Sequence, residues 1–183
     1  MIRFLDIIFS LAGLALAFPL FILISVISLF VFKSPIFIQK RLGKNEKVFL
    51  LIKFRSMPKA TLELATHLIK DDSIPLWGKF LRRSKLDELP QLLNVLLGHM
   101  SLVGPRPNLQ TQHELIILRR DQNIYSVRPG LTGIAQLKGV DMSNPVNLVA
   151  FDKELINSLS LRLYLVCLLK TLMGAGLGDR TTK

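Results

Sequence analysis

IIFSLAGLALAFPLFILISVISLFVF, residues 7–32, carries no charged side chain. About 20 apolar residues in a helix suffice to cross the hydrocarbon of a bilayer, and this run has 26. A core helix of a soluble protein is seldom apolar on every face for so long. A secretory signal has a shorter apolar region, about 7–15 residues, followed by small residues at a cleavage site. This run instead ends Phe30-Val31-Phe32-Lys33. It reads as a membrane anchor over residues 1–33, holding a domain at residues 34–183. Pro19 lies near its centre, where proline removes an internal hydrogen bond and bends the rod. A kinked spanning helix and a helix that breaks and returns to the same face both accommodate it. Lys33, Lys40, Arg41, Lys44, Lys47, Lys53 and Arg55 follow the run. Such a cluster places the C-terminal side in the cytoplasm.

The whole chain of 183 residues is 50% apolar, which excludes a disordered tail, and it lacks the apolar length for a transporter of many spans. Lys and Arg number 24 against 13 Asp and Glu, a net charge of +11. That balance calls for an anionic partner such as a lipid surface or a phosphorylated ligand. Cys167 is the only cysteine, so a disulfide framework and any multi-cysteine metal site are excluded. His67, His99 and His113 are scattered. No phosphate-binding GxxxxGK[ST] loop, GxGxxG, GxSxG or HExxH occurs, which removes support for an NTPase, a dinucleotide oxidoreductase and a common serine hydrolase.

Beyond the anchor, residues 36–41 and 48–54 are β-prone and flank a turn-like segment with Gly43 and Asn45, so a hairpin is predicted. Residues 59–70 place Leu62, Ala65, Leu68 and Ile69 at helical spacing. Residues 77–83, WGKFLRR, set aromatic and aliphatic groups beside cations, which suits either a bilayer headgroup region or an ordinary packed turn. Helices are predicted over 86–100, 108–120, 147–157 and 161–172, with a rigid loop at 101–107 and loops and short turns over 125–139. The fold class expected is α+β, mainly helical.

The densest polar constellation is LRRSKLDELPQL, residues 81–92. Pro90 is tolerated only in a helix's first turn, which starts the helix near residues 86–88. Asp87 then lies where unpaired N–H groups favour negative charge. Ser84-x-x-Asp87 also reads as a modest capping box, and from spacing alone that is the simpler account. The neighbouring Arg82, Arg83 and Lys85 shift the weight, because clustered cations suit a phosphorylated ligand. A carboxylate beside such a ligand can act as a nucleophile toward phosphorus. Its neighbour, Glu88, can hold Mg²⁺, which binds through one or two carboxylates plus substrate phosphates. In Gly104-Pro105-Arg106-Pro107 the two prolines stiffen the backbone around one cation, as a phosphate clamp would require. Arg128-Pro129-Gly130 repeats the theme more weakly. Lys53 and Arg55 share one face of a strand.

KFRSM (53–57), LRRSKLDELPQLLNVLLGHMSLVGPRP (81–107) and RPGLTGIAQLKG (128–139), in that order, closely resemble the bacterial sugar transferase family, the monotopic polyprenyl-phosphate phosphoglycosyl transferases. The likeness covers nearly the whole chain, in the small form of the family. It implies transfer of a sugar 1-phosphate from a UDP-sugar to undecaprenyl phosphate, releasing UMP. It further implies Asp87 as covalent nucleophile, Glu88 as Mg²⁺ ligand, and Arg106, with Arg82, as phosphate-binding residues. Lys53, Arg55 and Arg128 join the phosphate-binding candidates. The family's apolar segment is a re-entrant helix broken at its proline, which makes Pro19 the hinge and puts both ends in the cytoplasm. Inner-membrane lipids are implied as partners, with the catalytic domain on the cytoplasmic face, amphipathic helices at the interface and no nucleic acid. A homodimer is left open. Two departures stand out: His99 where the family often has an acidic residue, and Lys85 where it often has Ser.

Two other functions are compatible with the residues alone. One is a membrane-held, non-enzymatic binder of anionic polymers or lipids, whose binding would fall steeply with salt. The other is a glycosyltransferase that moves the sugar without its phosphate and releases UDP.

Overall fold

The computed structural model describes residues 1–58 and 74–175. Helix α1 (Ile2–Phe32) runs unbroken through Pro19 and ends at Lys33, whose left-handed φ of 58° stops it. An antiparallel hairpin follows, β1 (Ile36–Leu42) and β2 (Val48–Phe54), with Ile36 opposite Phe54 and Leu42 opposite Val48. Helix α2 is Leu76–Arg83, and a single 3₁₀ turn, Leu86–Glu88, precedes α3 (Gln91–Leu96). Then come β3 (Ser101–Val103), α4 (His113–Asp121), β4 (Gly130–Thr132), α5 (Ile134–Leu137), α6 (Pro145–Ser158) and α7 (Leu161–Leu172). The predicted helix over residues 59–70 lies outside the described residues.

The mainly helical α+β class, the hairpin and the N-terminal apolar helix agree with the sequence. Several boundaries do not. The predicted 86–100 helix begins only at Gln91, because Pro90 has no N–H and its ring excludes an α-helical carbonyl four residues back. Asp87 therefore sits in a separate 3₁₀ turn rather than in a helix's first turn. Ser84 is no N-cap. It terminates α2, and its Oγ donates to the carbonyls of Phe80 and Leu81. The helix expected from Asn108 starts at His113, since the Asn108 carbonyl accepts from Leu42 N–H and Leu109 N–H donates to Gln112 Oε1. The 101–107 loop and the 125–139 turns each hide a three-residue strand, and these two pair in parallel, Ser101 with Gly130 and Val103 with Thr132. Gly130 is required by that pairing: a Cβ there would lie 2.0 Å from the Gly104 nitrogen.

One core joins Phe49 and Leu51 of β2, Leu92 and Val95 of α3, Met100 and Leu102 around β3, and Tyr164 and Cys167 of α7. A second lies under α4 and α6, with Leu115, Ile124, Leu148 and Val149. Each such buried aliphatic side chain contributes about 1.5–3 kcal/mol. A third cluster, Ile24, Phe54 and Leu81, pins the C-terminal half of α1 to the hairpin and α2.

The burial of α1 is inverted relative to a surface helix. Its buried residues include Asp6, Ser10 and Ser28, whereas Phe4, Leu11, Leu16, Phe18, Leu23 and Phe30 are exposed. Within its most apolar stretch only 11% of residues are buried, unlike a core helix. Both ends contact the same body. Arg3 donates to the carbonyls of Val95 (2.7 Å) and Leu96 (3.0 Å). Asp6 Oδ1 accepts from Ser101 Oγ (3.0 Å), Leu102 N–H (2.9 Å) and Tyr164 OH (2.8 Å). Near the other end Trp77 Nε1 donates to Ser28 Oγ at 2.9 Å.

Candidate active site

Hairpin register decides which side chains face the domain. Phe49 and Leu51 are buried, so Lys53, two residues on, shares their inward face. Opposite them in the ladder stand Arg41, Gln39 and Phe37. The hairpin thus delivers two cations, Lys53 and Arg41, to one side. The 3₁₀ turn packs against β2 and α2 and brings Asp87 and Glu88 to the same place. Lys85, just before this turn, holds a left-handed φ of 56°, a strained conformation for a side chain larger than glycine. Arg106 arrives from the loop after β3, and its guanidinium hydrogen-bonds Glu88 Oε1.

That loop is held from behind. Arg119, buried on α4, donates from Nη1 to the Arg106 carbonyl (2.8 Å) and to Asn108 Oδ1 (2.9 Å). Its other nitrogens meet Asp152 Oδ2 on α6 at 2.7 and 3.1 Å. Tyr125 OH donates to Asn108 Oδ1 at 3.0 Å. The stiffness expected from the two prolines is therefore reinforced by a buried polar network.

Burial pushes the Asp87 carboxyl up, to about 6, and the adjacent Glu88 charge adds to this, while Lys53, Arg82 and Arg106 oppose it. Burial also works to raise Glu88, but the charge and hydrogen bond of Arg106 outweigh it and hold Glu88 below the usual carboxylate range. Lys53 is pushed down to about 8 by burial, against the attraction of Asp87. The paired carboxylates are thus split. One stays firmly ionised, and the other titrates near neutrality with no described residue hydrogen-bonded to it.

Of the predicted site residues, Asp87, Glu88, Arg106, Arg82 and Lys53 come together, each acting on the charge of Asp87. Arg55 and Arg128 are not among the groups acting on Asp87. Arg55 lies beside Lys53 along the Phe37 ring and donates to the Ile36 carbonyl. Arg128 Nε donates to the Gly98 carbonyl at 2.8 Å. Arg41 was missed as a site residue and counted only in the charge cluster after the anchor, although the hairpin register carries the signal. Arg119 and Asp152 left no local signal, being 33 residues apart.

The family model for bacterial sugar transferases matches residues 1–176. The chain belongs to that family. Its relatives include the exopolysaccharide production protein ExoY of Sinorhizobium fredii, 35% identical over 93% of this chain and 83% of that protein. A UDP-glucose:undecaprenyl-phosphate glucose-1-phosphate transferase of Xanthomonas campestris is 44% identical over 61% of this chain, but over only 24% of its own length. A UDP-galactose-lipid carrier transferase of Erwinia amylovora is 31% identical over 93% of this chain and 40% of its own. This sugar transferase is accordingly an enzyme, and the Asp87–Glu88 pair among cations, with Asp87 buried, is its candidate centre.

Proposed function

We propose that this sugar transferase moves a sugar 1-phosphate from a UDP-sugar to undecaprenyl phosphate, at the cytoplasmic face of the inner membrane, for polysaccharide synthesis. The observation that carries this is the split carboxylate pair beside Lys53, Arg82 and Arg106, in a chain with a long exposed apolar helix. An Asp87 carboxylate oxygen attacks the phosphorus bearing the sugar. The bond from that phosphorus to the UMP oxygen breaks, and UMP leaves with the electron pair. An oxygen of undecaprenyl phosphate then attacks the same phosphorus, and the bond to Asp87 breaks, restoring the carboxylate. Arg106, Arg82 and Lys53 neutralise charge on the phosphoryl oxygens, where fixed cations contribute most.

The acidic pair fits Mg²⁺. The charge of Glu88 raises the proton affinity of Asp87, and among the described residues no third acidic, His or Cys side chain joins them. That is the partial shell of a cation completed by phosphate oxygens and water. Glu88 would hold it through Oε2, since Oε1 is engaged by Arg106. Bound there, it would supply further charge neutralisation to the diphosphate.

For the anchor we favour a re-entrant arrangement with its bend at Pro19, where α1 continues as one helix rather than breaking as the resemblance implied. Contacts from Arg3, Asp6 and Ser28 to one and the same body support it, because a spanning helix would carry its first residues to the opposite face. Exposed apolar side chains also stand on α2, at Leu76 and Phe80, and on α7, at Leu161, Leu165, Leu169 and Leu172. These stripes suit helices lying in the headgroup region.

The test is UMP release from a panel of UDP-sugars with Mg²⁺ and undecaprenyl phosphate in detergent. Release that requires the lipid phosphate is expected from the wild type and not from Asp87→Asn. UDP in place of UMP, or full activity in Asp87→Asn, would overturn the scheme.

A further inference from the structure

We propose that Arg41 is a phosphate-binding residue, a second guanidinium beside Arg106 that closes on phosphoryl oxygens of a substrate. The assignment deepens, and rests on, the transfer chemistry proposed above. Four observations lead to it.

Arg41 is held in place. Its Nη1 donates to the Pro107 carbonyl at 3.1 Å and its Nη2 to Gln39 Oε1 at 2.7 Å, with Gln39 itself buried. One guanidinium edge is thereby tied to the loop that carries Arg106. Its Nε, by contrast, is buried with no hydrogen-bond partner among the described residues, and an unmet buried donor on a charged group is costly.

It also has no carboxylate of its own. Glu88 lies near enough to attract it but hydrogen-bonds Arg106, and the like charge of Arg106 acts against Arg41. Both of the hydrogen bonds Arg41 makes go to neutral oxygens. A fixed, largely desolvated guanidinium with neutral partners is favourable only where an anion arrives.

The surroundings are rich in cations as well. Lys53, Arg82, Arg106 and Lys85 act on Asp87 and Glu88, and Arg106 also on Asp141. The Arg41–Arg106 pair also has the geometry of a clamp, with cations from two elements joined through Pro107. Two forks can grip separate oxygens of one phosphoryl group or of adjacent ones.

The donor's diphosphate and the acceptor's monophosphate share this chemistry, and binding to each is read separately. Isothermal titration in detergent would use inorganic pyrophosphate in one arm and undecaprenyl phosphate in the other. The proteins are wild type, Arg41→Gln, Arg41→Lys and, as a control for lost charge, Lys44→Gln on the exposed hairpin turn. Arg41→Gln is expected to weaken one arm about tenfold or more, equivalent to about 1.4 kcal/mol. Arg41→Lys, which keeps the charge but not the fork, should fall between, and Lys44→Gln should change neither arm beyond about twofold. The weakened arm names the substrate gripped. Should Arg41→Gln melt earlier than wild type, Arg41→Lys alone decides. Unchanged binding in both arms, or equal loss in Lys44→Gln, overturns the proposal. UMP release is measured on the same samples. Arg41-dependent binding without UMP release would refute the transfer chemistry and keep the phosphate site. Asp87-dependent release with both arms indifferent to Arg41 would do the reverse.

Discussion

Asp6 is the residue on which the seating of the anchor most depends. It lies in the first turns of a largely apolar helix, is 2% exposed, and its Oδ1 accepts three hydrogen bonds, from Ser101, Leu102 and Tyr164. Replacing it with Leu leaves three buried donors unmet, each costing about 1–3 kcal/mol. The two hydroxyls can rotate toward other acceptors, but the Leu102 N–H cannot, so the expected loss is about 3–5 kcal/mol. For a protein of this size each kcal/mol lowers the melting temperature by about 2–4 °C, giving a drop of about 6–20 °C. Asp6→Asn keeps an oxygen in place and surrenders only the charge-assisted part of each bond, so it should fall well short of that. Tyr164→Phe removes one donor and should cost about 1.5–3 kcal/mol, the value of a hydrogen bond to a charged group. Added to Asp6→Leu it should cost far less, because its partner is already gone. The assay is thermal unfolding in detergent followed by fluorescence of Trp77, the sole tryptophan, which bonds to the far end of α1. The reasoning fails if Asp6→Leu melts within about 2 °C of wild type, or if the Tyr164→Phe effect is the same in both backgrounds.

Two further outcomes are expected. The value of kcat/KM should decline as pH falls through about 6, where Asp87 gains its proton. The same raised affinity makes the native state lose stability as pH rises from the unfolded carboxyl value of about 3.9 to about 6, so Asp87→Asn should melt higher than wild type at pH 8. A rate flat down to pH 5 would contradict this. Gly130→Ala sets a Cβ 2.0 Å from the Gly104 nitrogen and 2.5 Å from its Cα, backbone atoms that cannot swing aside. It should cost at least about 1–3 kcal/mol and abolish turnover by displacing the Arg106 loop. A variant with wild-type melting and rate would refute the close approach of β3 and β4.

The apolar helix and the hairpin were legible because each announces itself through local periodicity. The Asp-Glu and Pro-Arg-Pro motifs were legible because each is contiguous. What failed was non-local or too short. The β3–β4 pair has three residues a side, below the length at which alternation can be seen, and its partners stand 29 positions apart, as Ser101 and Gly130 do. Pro90 was rightly read as a helix start, yet the start was placed too early, because the left-handed Lys85 and the separate 3₁₀ turn leave no pattern of their own. Asp6 stands just before the uncharged run, and only the fold shows Tyr164, 158 residues away, donating to it.

On the proposed chemistry the nucleophile and its target are both negative, and that repulsion is the problem the site must solve. Asp87 already titrates near 6, so an incoming diphosphate alone would drive it toward the neutral, unreactive acid. Lys53, Arg82 and Arg106 are the groups that pull its proton affinity down, and they come from three separate elements. Cations held this close repel one another, as Arg106 does Arg41. Anionic phosphate relieves that repulsion, and the same cations keep Asp87 ionised at the moment of attack. The buried Arg119–Asp152 pair serves the same end from behind. By fixing the Arg106 carbonyl it stops the loop from relaxing away from its like-charged neighbours.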